Sequence, residues 1–246
     1  MKLNCDLGES FGSWTMGLDE EVMPHINMAN IACGFHAGDP NVMFKTLHLA
    51  KKFNVEVGAH PGYQDINGFG RRSIKHSKQE LVNLIVYQVS ALAGMAKTVG
   101  MTVSYVKPHG ALYNDMMASS DILAAVIEAM KLLNGNTDKK LKLMMLATAN
   151  WQQHQQMASE SDVELLFEAF ADRKYTDSGH LLSRGREGAV LNQEQMLKQV
   201  SNIVKHGKVE TASGKELSIK ADTICVHGDN QAGIDKIKQI RAICQQ

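Results

Sequence analysis

The sequence predicts an α/β fold in which about seven strands, alternating with helices, form an incomplete or irregular parallel (β/α) barrel. Short apolar runs alternate with amphipathic stretches along all 246 residues. The length and a hydrophobic content of 44% suit one core of barrel size, so we expect residues 1–246 to form a single domain. An open doubly wound sheet is the competing arrangement. Four of the apolar runs end on a histidine that a glycine soon follows: His36, His60, His109 and His227.

The first two predicted strands bring polar side chains to their ends. Lys2–Asp6 is predicted as a strand because it is too short for a helix and is broken by Gly8. Ile26–Cys33 is the second strand, and the helix after it has a suitable N-cap in Asp39 and a suitable first residue in Pro40. These segments predict one complete βα unit.

Two more strands occupy the middle of the chain. Asn54–His60 is the third strand, and a long loop separates it from a helix that Ser77 and Glu80 introduce with the spacing of a capping box. Thr102–Lys107 is the fourth strand, and a further helix begins after Ser119.

The C-terminal half continues the alternation, with two irregular parts. Leu141–Ala147 and Val163–Phe170 are strand candidates joined by a polar, helical crossover. Ala171–Gly188 follows neither a helix nor a strand period, and a segment of that length is usually functional or mobile. Lys208–Ile219 predicts a small hairpin outside the main sheet, and Ala221–His227 is the last strand before a closing helix.

Composition argues against several classes of partner and location. Lys+Arg and Asp+Glu both count 26, and no basic block attracts a phosphate backbone, so we expect no nucleic acid partner. The first residues contain no apolar region long enough for a signal peptide, and no stretch of about 18 apolar residues is apparent, so we expect a cytoplasmic protein without a membrane segment. The four cysteines lack metal-binding spacing and are expected to be reduced and buried.

A barrel would gather the polar residues of several strand ends around one opening, because parallel strands all end at the same face. A lone histidine is usually a core or surface residue, but four at strand ends favour a site. The side chains expected there are Asn4, Asp6, Glu9, His36, Asp39, His60, Asp65, Lys107, His109, His227 and Asp229.

Three chemistries fit this set. Asp6, His36 and His60 can provide one carboxylate and two imidazoles for a metal ion, although no local HxxH or HxxxH pair supports it. Asp6 or Asp229 can instead work with a histidine in acid/base catalysis at a carbonyl group. Lys107 can stabilise an oxyanion or a phosphate oxygen, since it interrupts an otherwise buried strand.

Two glycine-arginine loops suit the capture of an anion. The segments 68–72 (GFGRR) and 183–188 (SRGREG) combine flexible backbone with guanidinium groups, which bind carboxylates and phosphates in bidentate fashion; solvated turns are the alternative. Neither of the glycine-rich nucleotide motifs, GxxxxGK[ST] or GxGxxG, occurs, so the chain is not expected to bind a nucleotide by itself.

The order of these motifs resembles the LamB/YcsF family over nearly the whole chain. The matching segments are NCDLGES from Asn4, ANIACGFHAGDP from Ala29, GAHPGYQD from Gly58, GFGRR from Gly68, VKPHGALYN from Val106, EAFADRKY from Glu168, LLSR from Leu181 and ICVHGDN from Ile224.

The resemblance implies an irregular seven-stranded (β/α) barrel of the glycoside hydrolase/deacetylase type. It also implies the ATP-dependent 5-oxoprolinase reaction, in which 5-oxo-L-proline, ATP and water give L-glutamate, ADP and phosphate, with 5-oxoprolinase subunits B and C as partners. ATP would then be bound mainly by those partners, and whether this chain binds a metal stays open.

Mapped by position, the resemblance places Asp6, His36, His60, Lys107, His109, His227 and Asp229 in the active site. Asn4, Glu9, Arg72 and Arg184 are the expected substrate-binding residues, the two arginines serving a carboxylate or a phosphorylated intermediate. Two alternatives stay open: a metal-dependent deacetylase or amidohydrolase of an N-acetyl sugar, and a non-catalytic substrate-binding subunit.

Overall fold

Seven parallel strands close into one barrel in the computed structural model, which describes residues 1–135, 139–227 and 231–245. Strands β1 to β6 and β9 form the barrel in that order, and β9 pairs with β1 to close it. The described strands are β1 (Lys2–Leu7), β2 (Met28–Ala32), β3 (Glu56–His60), β4 (Val103–Val106), β5 (Lys142–Leu146), β6 (Leu165–Phe170), β7 (Lys208–Glu210), β8 (Glu216–Ser218) and β9 (Thr223–His227). The structure therefore confirms the predicted closed barrel, and the alternative of an open doubly wound sheet is wrong.

Helices surround the barrel, and their starts follow the predicted capping signals. The Asp39 carboxylate accepts hydrogen bonds from the backbone N–H groups of Asn41 and Val42, and Ser77 and Glu80 form both halves of a capping box. The described α-helices are α1 (Asp19–Val22), α2 (Pro40–Phe53), α3 (Lys78–Thr98), α4 (Gly110–Ala118), α5 (Ser120–Asn134), α6 (Trp151–Ser159), α7 (Gln193–His206) and α8 (Gln231–Cys244).

Helix α4 is an element that the sequence does not predict. Its first residue, Gly110, follows directly on His109 and has a φ of +52°, which is typical of a turn. Leu112 and Met116 are buried, which shows that tertiary packing stabilises a helix of only nine residues. The consequence is that His109 lies at a helix N-terminus.

The segment between β6 and α7 contains its own backbone hydrogen bonds, although its sequence shows neither the helix nor the strand periodicity of apolar residues. Lys174 donates to the carbonyl of Ala189 at 2.9 Å, and Leu182 donates to the carbonyl of Lys174 at 2.8 Å. Tyr175 is fully buried at its centre. The strands β7 and β8 form the separate antiparallel hairpin that the sequence predicts.

The strands alternate between a barrel interior that is partly polar and an apolar outer layer. On β1, Leu3 and Cys5 belong to the hydrophobic core cluster, whereas Asn4 and Asp6 make polar contacts across the barrel. All four cysteines are buried and free, as expected. The strand ends therefore support a polar floor within an apolar shell.

The sequence is expected to contain no stretch long and apolar enough to cross a membrane, but helix α3 does not meet that expectation. By length and composition it qualifies, with a mean hydropathy of 1.2 over its best 18-residue window. Leu81, Ile85, Val89 and Leu92 on this helix are buried in the core, which accounts for its apolar composition.

Candidate functional site

A buried lysine occupies the centre of the barrel at the C-terminal end of its strands. The Lys107 ammonium lies 2.8 Å from an Asp6 carboxylate oxygen, 3.0 Å from a Glu168 oxygen and 3.2 Å from the Cys225 sulfur. Burial disfavours its charge, but Asp6, Cys225 and Glu168 outweigh that effect and raise the pKa of Lys107 well above its ordinary value. The two carboxylates therefore favour the charged form of Lys107.

The Asp6 carboxylate is kept ionised by its neighbours. Burial would raise the pKa of Asp6, but His60 and Lys107 together hold it well below its ordinary value. One oxygen, Oδ1, accepts hydrogen bonds from both Lys107 and Asn30. The other, Oδ2, lies 3.5 Å from His60 Nε2. A carboxylate held in this way is a weak base and a strong electrostatic partner.

A hydrogen bond from the Asn30 side chain holds the Asp6 carboxylate in position. Its side-chain amide donates to Asp6 at 2.7 Å and to Asn4 at 2.8 Å, and its oxygen accepts from the Tyr105 hydroxyl at 2.6 Å. The Asn4 amide in turn donates to Thr223. Asn4, expected to bind substrate, is thus fully buried beneath the cavity and committed to this network.

Three imidazoles pack against one another beside Asp6. His60 Nδ1 lies 2.7 Å from the Lys107 carbonyl oxygen, His109 Nε2 lies 2.9 Å from the Phe69 carbonyl oxygen, and His60 Nε2 lies 3.0 Å from His109 Nδ1. The His36 ring stacks on His109 with centroids 3.7 Å apart. Burial, followed by the neighbouring imidazoles, lowers the pKa of His36 and of His109 well below the ordinary value.

The loop between β3 and α3 closes over these rings. Phe69 and Gly70 both have left-handed backbone conformations, with φ of 53° and 61°. A Cβ atom on Gly70 would lie 2.6 Å from the Cβ of His36 and 2.7 Å from the Cδ2 of His109. Only glycine therefore lets the backbone approach the rings this closely, and the same turn aims the Phe69 carbonyl at His109.

A second imidazole arrangement lies on the opposite side of the barrel. Asp172 holds His227 through Nδ1, which lies 3.0 Å from each carboxylate oxygen, and the His227 ring stacks on Phe170. Because Nδ1 donates to a carboxylate, Nε2 carries the lone pair of the neutral ring. Asp229 lies outside the described residues.

The floor opens into a cavity of about 460 Å³. Of the sequence-predicted residues, seven line it: Asp6, Glu9, His60, Lys107, His109, Arg184 and His227. His36, Asn4 and Arg72 are not part of the lining. His36 supports the lining from behind, through its stack on His109.

The arginines at the cavity differ from the predicted pair. Arg72 forms an ion pair with Asp65, its side chain is 67% exposed, and it does not line the cavity, whereas its substrate-binding role stays a prediction. Arg71 and Arg173 line the cavity together with Arg184. Arg173 is buried and donates to the Leu182 carbonyl at 2.6 Å; burial and the charge of Arg184 lower its pKa to about 10.

Two groups of side chains have the composition of a metal site. Potential ligand atoms of Glu9, His36, His60 and His109 all lie within 4.8 Å of one another, and so do those of Asp6, Cys225 and His227. The predicted set of Asp6, His36 and His60 is divided between the two groups, although Asp6 Oδ2 lies 3.5 Å from His60 Nε2.

The comparisons with known proteins agree with this architecture. The family model described as "LamB/YcsF family" matches residues 1–246. The chain belongs to the LamB/YcsF family. Family relatives that carry the name of the A subunit of 5-oxoprolinase include one from Vibrio campbellii, 52% identical over 242 residues covering 98% of this chain and 94% of the relative. Another, from Pseudomonas fluorescens, is 51% identical over 240 residues covering 97% of this chain and 94% of the relative.

A solved structure shows the same fold. The lactam utilization protein from Thermus thermophilus is 34% identical, with a TM-score of 0.85, and the match covers 100% of this chain and 94% of that one. The seven-stranded barrel expected of the LamB/YcsF family is thus confirmed for this member.

Several residues of this LamB/YcsF site escaped the sequence prediction. Glu168 interrupts the buried strand β6 with a charge, a signal similar to the one that identified Lys107 directly after β4. Asn30 likewise interrupts β2. Asp172 and Arg173 fall in the aperiodic segment, where no local pattern distinguishes a cavity residue from a solvated one.

Proposed function

We propose that this chain is the A subunit of a cytoplasmic, ATP-dependent 5-oxoprolinase, which opens 5-oxo-L-proline to L-glutamate with partner subunits B and C. The observation that carries the proposal is the buried Lys107, held between two carboxylates at the floor of a cavity. It is supported by the names of relatives at 51–52% identity over 97–98% of the chain.

A lactam is a stable amide, and opening it with water requires activation of the carbonyl carbon. In the proposed division of labour, partner subunits transfer the γ-phosphoryl group of ATP to the lactam oxygen and release ADP. Water then adds to the activated carbon, and the C–N bond breaks with protonation of the nitrogen to leave γ-glutamyl phosphate. A second water molecule hydrolyses this acyl phosphate and releases phosphate. The products are L-glutamate, ADP and phosphate.

The cavity residues suit the hydrolytic half of this sequence. Lys107 would stabilise the negative charge that develops on oxygen, because a buried ammonium already held in place by two carboxylates needs little reorganisation. His227 is the better candidate for the base that takes the proton of water: Asp172 orients its ring and leaves Nε2 as acceptor. Asp6, with its lowered pKa, would act electrostatically.

The arginine side of the cavity suits the substrate carboxylate. Arg71, Arg173 and Arg184 all line the cavity. Guanidinium groups bind a carboxylate in bidentate fashion. In this proposal Arg184 binds the substrate carboxylate together with Arg71 and Arg173, which line the cavity, rather than with Arg72, which does not.

The test is glutamate release from 5-oxoproline, measured with and without ATP, using the chain alone and co-expressed with subunits B and C. Turnover is expected only for the complex with ATP. Lys107→Met and His227→Gln should each lower turnover at least about 100-fold, whereas His206→Gln, at an exposed residue of α7, should not. Full-rate lactam opening by the chain alone without ATP would refute the proposal, as would normal turnover of the Lys107 variant in the complex.

The imidazole and carboxylate group around His60 favours one second candidate, a metal-dependent deacetylase or amidohydrolase of an N-acetyl sugar. It predicts acetate release from N-acetylglucosamine by the chain alone, without ATP, and loss of that activity on chelation. A merely substrate-binding subunit predicts that cavity substitutions change the KM of the complex and leave kcat intact.

A further inference from the structure

Hydrogen bonds to two carbonyl groups determine which nitrogens of His60 and His109 carry lone pairs. A carbonyl oxygen only accepts, so His60 Nδ1 donates to Lys107 and His109 Nε2 donates to Phe69. In the neutral rings the remaining nitrogens, His60 Nε2 and His109 Nδ1, are therefore acceptors. Such hydrogen bonds on the far nitrogen are the usual means by which proteins orient metal-binding imidazoles.

These two acceptor nitrogens face each other. They lie 3.0 Å apart, and the ring planes are 89° from each other. Two lone pairs at this separation require a cation beside them, either a proton or a metal ion. A separation near 3 Å is also what two nitrogens have when each lies about 2.1 Å from one ion at roughly a right angle.

Carboxylates complete the surroundings of the nitrogen pair. Glu9 Oε1 lies 3.7 Å from His109 Nδ1, and Asp6 Oδ2 lies 3.5 Å from His60 Nε2. Potential ligand atoms of Glu9, His60 and His109 lie within 4.8 Å of one another, so Glu9 is the carboxylate placed as a direct ligand. Anionic oxygens on either side of two facing lone pairs favour a divalent ion at this point.

We propose that Glu9, His60 and His109 bind one divalent first-row metal ion of the zinc class. All three line the cavity, so the remaining coordination positions face the space where substrate binds. A set of two imidazoles and one carboxylate with open positions is typical of catalytic rather than structural sites. Such an ion would polarise a carbonyl oxygen or a water molecule.

His36 is excluded from this ligand set by its orientation. Its ring is parallel to that of His109 within 4°, at a centroid distance of 3.7 Å. The lone pairs of two stacked rings point along parallel planes and cannot both meet one ion in plane. Since the tautomer of His109 is determined by Phe69, His109 is the ligand and His36 buttresses it.

The experiment measures metal binding directly and does not depend on which reaction the protein catalyses. Purified chain is stripped with a chelator, dialysed against Zn²⁺ or Co²⁺, and assayed by elemental mass spectrometry and by the visible absorption of bound Co²⁺. One ion per chain is expected. His60→Ala and His109→Ala should abolish stoichiometric binding, and Glu9→Gln should weaken it about tenfold or more. His206→Ala, at an exposed histidine, should bind like wild type.

Thermal unfolding shows whether a variant that does not bind the metal ion is still folded. Zn²⁺ should raise the Tm of wild type and of His206→Ala, because a ligand of the native state stabilises it, and should raise that of the isosteric Glu9→Gln much less. Wild type that binds no ion at saturating Zn²⁺ or Co²⁺ would overturn the proposal and assign a shared proton to the His60–His109 pair. Equal binding by wild type and Glu9→Gln would remove Glu9 from the site.

Discussion

Replacing Lys107 by methionine should destabilise the protein strongly near neutral pH. Lys107 is 2% exposed and compensates two buried carboxylates, Asp6 at 2.8 Å and Glu168 at 3.0 Å. Methionine fills a similar volume but leaves both carboxylates without the ammonium. Removing one partner of a buried ion pair costs about 3–5 kcal/mol, so a loss of that size in the free energy of unfolding is expected.

The loss should depend on pH with a definite sign. The folded-state pKa of Asp6 is lowered below the ordinary value, so its contribution to stability is present above the unfolded pKa, about 3.9, and disappears as the pH falls through the folded value. In the variant, Asp6 loses its cation and is relieved by protonation. The difference between wild type and variant should therefore be largest at pH 7–8 and smaller at pH 4–5.

Urea denaturation at pH 8 and at pH 5 measures both effects. The matched control is Lys174→Met, which breaks an ion pair to Glu210 at 3.1 Å whose two side chains are 21% and 45% exposed. That pair should contribute about 1 kcal/mol or less. A Lys107 variant no more destabilised than the Lys174 variant, or a loss that grows as the pH falls, would refute the reasoning.

Three further substitutions test the supports of the site. Asn30→Ala removes the donor to Asp6 and the acceptor of Tyr105, so it should lower the free energy of unfolding by about 2–4 kcal/mol and also lower turnover. The control is Asn134→Ala, which breaks two hydrogen bonds to the Leu141 backbone. It should destabilise the protein without changing the turnover of the molecules that remain folded. Gly70→Ala should cost about 1–3 kcal/mol, from its φ of 61° and its contacts with the imidazoles, and impair turnover; an unchanged Tm would contradict this. Ser77→Ala should lower the free energy of unfolding by about 1 kcal/mol, through the capping box of α3, with normal turnover of the complex; a loss of turnover would show that α3 acts on the site.

The barrel was predictable because its signals are local. Each strand prediction agrees with the structure within two residues at either end, since apolar runs and the glycines that end them need only neighbouring residues to be recognised. The N-caps of α2 and α3 were predictable for the same reason. Helix α4 was missed because its stability comes from burial of Leu112 and Met116 rather than from a capping signal.

The side chains at strand ends were determined by the sequence alone, because closing any parallel barrel gathers them at one face. Which of them touch was decided only by the tertiary structure. Lys107 follows β4 and Glu168 lies on β6, 61 positions apart along the chain, and only the curvature of the closed sheet directs both side chains to the barrel axis. Three-dimensional packing likewise determines the loop that places Gly70 and Phe69 over the imidazoles. In the same loop, Arg72 forms an ion pair with Asp65 and does not line the cavity. Long-range contacts of this kind leave no periodic trace in the sequence, since each depends on the geometry of the whole barrel.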